Sequence, residues 1–111
     1  MFEKNLNIGY LLDFYGDILP ERKRNVMDMY YNEDFSLAEI ANEIGISRQG
    51  VRDIIKKSEE ELFFYEEKLG LAKKLKSAIE SVNQLEKIAE GTSLPNEFFA
   101  ELSELKTIIS Q

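Results

Sequence analysis

The sequence predicts an all-α protein of about six helices, and three observations carry that expectation. Apolar residues recur in steps of three and four along most of the chain, the spacing of one helix face. No stretch alternates apolar and polar residues as a half-buried strand would. Gly16, Gly45, Gly70 and Gly91, with Pro20 and Pro95, punctuate the periodic stretches where helices should start or stop. There is no internal repeat and no low-complexity segment.

The first helix is expected over Phe2 to Tyr15. Leu6, Tyr10 and Phe14 recur every four residues, with Ile8, Leu11, Leu12 and Tyr15 widening the stripe. Gly16 ends it. Pro20 suits the first turn of a second helix, and Glu21 beside it favours the positive end of the helix dipole. That helix runs through RKRNVMDMYY and buries Val26, Met27, Tyr30 and Tyr31, before Asn32, Glu33 and Asp34 make a polar break.

Ser36 opens a third helix. Ser36-x-x-Glu39 has the form of a capping box, in which each residue satisfies an amide of the other. From here to Lys57 the residues fit a helix-turn-helix. Ile40 and Ile44 lie on the first helix of the pair, and small Ala41 allows the second helix to cross closely. Gly45 stands where positive φ is usual, Ile46 plugs the corner, and Val51, Ile54 and Ile55 form the buried stripe of the second helix. A helix pair of another kind could share this spacing, but the helical context on both sides favours the motif.

Ser47 is the expected N-cap of the fourth helix, which runs on without glycine or proline from Val51 to Gly70. A helix of about 22 residues, near 33 Å long, therefore extends well past the motif. Gly50 inside it reads best as close packing against the helix around Ala41, rather than as an approach to phosphate. Beyond Gly70, Leu71, Leu75, Ala78, Val82, Leu85 and Ala89 alternate steps of four and three, a heptad seam. Gly91 ends that helix, Ser93 or Leu94 caps the next, and Pro95 opens it. Phe98, Leu102, Leu105 and Ile109 continue the same steps. The expected organisation is a helix-turn-helix domain over 1–70 and a helical extension over 71–111. The seam could close as a hairpin within one chain or join a second copy as a homodimer; a long fourth helix that needs something to lie against favours the dimer.

Composition narrows the function. The 111 residues include no cysteine and no histidine, which removes disulfides, thiolate metal sites and the commonest general base near neutral pH. Neither an enzyme, a metal site nor a cofactor is expected. Glu59, Glu60, Glu61, Glu66 and Glu67 read as a solvated helix face, because consecutive residues diverge around a helix. Tyr10, Tyr15, Tyr30 and Tyr31 could stack on unpaired bases, but their helical spacing with Phe14 and Met27 reads as core. No apolar run has signal-peptide or membrane-spanning length, so a soluble cytoplasmic protein without a membrane role is expected.

The formal charge of −7 would repel nucleic acid if it were evenly spread. It is not. Ser47 to Lys57 carries a local +3 from Arg48, Arg52, Lys56 and Lys57 against Asp53, whereas Ser58 to Gln111 carries −5. In a helix-turn-helix the second helix enters the major groove and presents its first residues to base edges. Arg48 and Gln49 then suit guanine and adenine, while Arg52, Lys56 and Lys57 suit phosphate. An ordinary solvated basic face is the plainer alternative. Arg22, Lys23 and Arg24 form a second basic cluster, a candidate auxiliary phosphate contact or simply a solvated helix start.

Taken together, Leu12-Asp-Phe-Tyr-Gly16, Tyr30-Tyr31, Asp34-Phe-Ser-Leu-Ala-Glu-Ile-Ala41, Ile46-Ser-Arg-Gln-Gly-Val51 and Tyr65-Glu-Glu-Lys-Leu69 resemble the YlxM family of small bacterial proteins. The resemblance covers most of residues 6 to 71 and fades beyond Leu71. It implies a DNA-binding regulator, with double-stranded DNA as partner. The motif itself is similar to region 4 of sigma-70-type factors, and by that likeness Ser47, Arg48, Gln49, Arg52 and Lys56 fall at contact positions. The family is linked to the signal recognition particle chiefly through neighbouring genes, which implies the particle's RNA or GTPase as an alternative partner. Pro20 departs from the pattern, where threonine or a similar cap is expected.

Overall fold

The computed structural model describes residues 6–110, and within them every regular element is helical. The order is α1 (Leu6–Tyr15), a 3₁₀ turn at Gly16–Ile18, α2 (Glu21–Tyr31), α3 (Leu37–Ile44), α4 (Arg48–Leu69), α5 (Leu71–Glu90) and α6 (Asn96–Ser110). The all-α expectation of about six helices holds. The part of the expected first helix from Phe2 to Asn5 lies outside the described residues. Two helix starts shift by a residue. Pro20 is the N-cap of α2, its carbonyl accepting from the Arg24 amide at 2.9 Å, and α6 begins after Pro95 rather than on it.

The chain divides into two compact units, 1–69 and 70–111. In the first, α1, α2 and α3 each pack against α4, which makes α4 the hub. Val51, Ile55, Ser58 and Leu62 supply its fully buried stripe. Ile8, Leu11, Leu12 and Tyr15 of α1, Val26, Met27 and Tyr30 of α2, and Ile40 and Ala41 of α3 complete the core. The α1 stripe therefore runs through the residues expected only to widen it, while Tyr10 is 43% exposed. Ser58 is tolerated inside because its hydroxyl donates to the Ile54 carbonyl at 2.7 Å, one turn back on the same helix.

Side chains tie the outer helices to α4. The Tyr15 hydroxyl donates to Glu66 at 2.7 Å, the Tyr31 hydroxyl donates to Glu59, and Lys23 pairs with Glu61. The acidic run on α4 is thus not one solvated face. Glu59, Glu61 and Glu66 face the neighbouring helices, and only Glu60 and Glu67 stand fully exposed. The tyrosines divide too: Tyr15 and Tyr30 are core, Tyr31 is half-buried, and Tyr10 is outside.

The second unit is the helical hairpin of α5 and α6. Val82, Ala89 and Leu102 are buried in it, and Lys106 pairs with Glu86 at 3.1 Å across the two helices. The heptad positions are only partly covered. Leu85 and Leu105 remain 45% and 43% exposed, and Ile108, one step beside the seam, is 63% exposed.

Candidate nucleic-acid interface

The residues of the motif form the expected geometry. Ser36 caps α3 through a complete capping box, its hydroxyl accepting from the Glu39 amide at 3.1 Å while the Glu39 carboxylate accepts from the Ser36 amide at 2.9 Å. The Ser36 backbone amide first, and the Ser36 hydroxyl second, favour the ionised Glu39 carboxylate and hold it below its ordinary pKa. Gly45 ends α3 with φ +75°, and the amides of Gly45 and Ile46 both donate to the Ala41 carbonyl, at 2.9 and 3.1 Å. That bond pair turns the chain sharply enough for α4 to start three residues later.

Ser47 then caps α4, its hydroxyl accepting from the Gly50 amide at 3.0 Å. The atoms nearest to Gly50 belong to this corner rather than to the helix around Ala41. A Cβ there would stand 3.3 Å from both the Ile46 terminal methyl and the Ser47 hydroxyl. Glycine at this position keeps the turn tight.

Arg48, Gln49, Arg52, Lys56 and Lys57 are all exposed. Among the described residues, none of the four cations takes an ion pair, so their charge faces solvent. Helical geometry sorts them further. Gln49 and Lys56 point away from the Val51 and Ile55 stripe, whereas Arg48 and Arg52 lie on one flank and Lys57 on the other. The crest carries Gln49, Asp53 and Lys56, and the face is basic on both sides.

The second basic cluster does not stay together. Lys23 is held by Glu61, and Arg24 pairs with Asp17 and, at 3.6 Å, with Asp28. Of the three, only Arg22 takes no described ion pair. One residue missed from the sequence is Asp53, whose carboxylate accepts from the Gln49 amide at 3.1 Å. A glutamine and an aspartate four apart on a helix are a recognisable pair, so the signal was available.

No group of acidic side chains among the described residues could hold a metal ion, and no helix is long and apolar enough to cross a membrane. With this geometry in view, comparison with known proteins is decisive. Residues 2–102 match the family model described as "Putative helix-turn-helix protein, YlxM / p13 like". The chain belongs to this family. It is 43% identical over 108 residues to a UPF0122 protein of Halalkalibacterium halodurans, covering 97% of this chain and 99% of the relative. It is 42% identical over 106 residues to UPF0122 protein YlxM of Bacillus subtilis, covering 96% of each. A UPF0122 protein of Clostridium kluyveri is 48% identical over 79 residues, covering 71% of each. The resemblance read from the motifs is therefore a family membership, and it extends past Leu71 into α6.

Proposed function

We propose that this protein is a non-enzymatic regulator that binds double-stranded DNA through the first three turns of α4. The observation that carries the reading is charge: four exposed, unpaired cations on one short segment of a chain whose formal net charge is −7. Arg48 and Gln49 reach base edges in the major groove, as expected for the start of a recognition helix. Arg52, Lys56 and Lys57 hold phosphate, and Ser47 fixes the helix start. Arg22 is the auxiliary phosphate contact, since Lys23 and Arg24 are engaged within the protein. The likeness to sigma-70 region 4 supports the same docking mode. The acidic remainder suppresses non-specific binding and confines contact to this face.

A second reading follows from the family's link to the signal recognition particle. The protein then serves as an accessory of the signal recognition particle, binding its RNA or GTPase from a cytoplasmic pool. Selection of bound sequences from random duplex DNA, with the particle RNA as competitor, separates the two. The DNA reading predicts enrichment of a defined duplex sequence that the RNA does not displace. Displacement of all duplex by the RNA, or no enriched sequence, would overturn it in favour of the second.

A further inference from the structure

At 100° per residue, Gln49 and Asp53 lie roughly 160° around α4 from the buried Val51 and Ile55, at the crest of the exposed face. Lys56 shares this crest, Arg52 and Lys57 stand on the flanks, and Arg48 lies in the first turn, the end of the helix that enters the groove. The crest of a recognition helix goes deepest into the groove, where base edges lie; the flanks meet the phosphate rails. An acidic residue at such a crest is repelled by every phosphate around it. Its presence calls for a role there.

We infer that Asp53 is a positioning residue that sets the amide of Gln49 to read adenine, a step that rests on the DNA reading proposed above. The Gln49 amide nitrogen donates one hydrogen to Asp53 at 3.1 Å. It keeps a second N–H and the side-chain carbonyl oxygen. That donor and acceptor, side by side, match the N7 acceptor and N6 amino donor of adenine in the major groove. Alone, an exposed glutamine must give up the freedom of three torsions to form both bonds. Asp53 fixes the plane of the amide before DNA arrives, so that cost is met in the free protein. No neighbouring cation competes for Asp53. Among the described residues its carboxylate takes no ion pair, although Lys57 lies four residues on. The same negative charge lowers affinity for every sequence alike and leaves the ratio between sequences to the Gln49 contact.

The test is selection from random duplex DNA by the full chain and by the variants Q49A, D53A and D53N, with melting temperature recorded for each. The wild type should enrich an A·T pair at one fixed position. Q49A should lose about tenfold of the preference for that pair over G·C, the size expected for one bidentate contact, and D53A about threefold, the size expected for losing the ordering of one side chain. D53A should also bind unrelated duplex more tightly, and its melting should not change, because the bond is on the surface. D53N keeps an oxygen that can accept from Gln49 and should retain the preference. A D53A variant with the full wild-type preference, or a D53N variant that loses it as completely as D53A, would overturn the inference alone. A wild type that binds no duplex at all would overturn the DNA reading, and this with it.

Discussion

Gly45 and Glu39 show what single residues contribute to the motif. Gly45 adopts φ +75°, yet a Cβ there would meet nothing within 4 Å. The cost of Gly45→Ala is therefore purely conformational, about 1–2 kcal/mol in urea unfolding, and Gly45→Asn should cost less. Glu39 behaves differently, through charge. Its carboxyl titrates below its unfolded value, so the stability it adds is present above that value and is lost as pH falls through the lower, folded one. The stability difference between wild type and E39Q should accordingly shrink on acidification. These positions were legible from sequence because their chemistry is local: Ser36 with Glu39, Gly45 at the turn and Ser47 at the next cap involve neighbours within four residues. The Gln49–Asp53 bond is equally local, but a charge count reads Asp53 only as an acid within a basic stretch.

At the scale of the element, α4 is both the candidate reading surface and the core of its unit. Its buried stripe includes Ser58, fully enclosed and bonded only to its own helix at Ile54. Ser58→Ala should change stability by less than about 1 kcal/mol. Ser58→Leu overfills the site and should cost about 1–3 kcal/mol, read by the same unfolding curves; a leucine variant as stable as the wild type would refute the packing described. The length of α4 was predictable because nothing in the sequence interrupts it before Gly70. The ties of Tyr15 to Glu66 and of Tyr31 to Glu59 were not, since the partners are 51 and 28 residues apart and helical periodicity is silent about such distances. In α1, periodicity gave the helix but not its exact face: two overlapping stripes were available, and packing against α4 selected Ile8, Leu11, Leu12 and Tyr15.

For the whole molecule, the α5–α6 hairpin raises the question of partners. Two helices alone cannot enclose a heptad seam, and Leu85, Phe98, Leu105 and Ile108 stay partly exposed. A homodimer that joins two hairpins into a four-helix bundle would cover them. Analytical ultracentrifugation should then find a dimer for the wild type and a monomer for a variant carrying L105E and I108E. A monomeric wild type would reject that arrangement. The seam itself was plain in the sequence, but its degree of closure was not, because the same heptads serve a hairpin and an interface alike.

The DNA-binding proposal rests on the exposed cations of α4 holding the duplex. The most direct measurement is affinity for the selected duplex as a function of salt, for the wild type and for R48A/R52A. Binding by the wild type should weaken steeply and log-linearly with salt. The double variant should bind at least tenfold more weakly, with a slope shallower by about 2 if both arginines neutralise phosphate and by about 1 if Arg48 reads a base. Equal affinity and equal slope in the two proteins would contradict the claim.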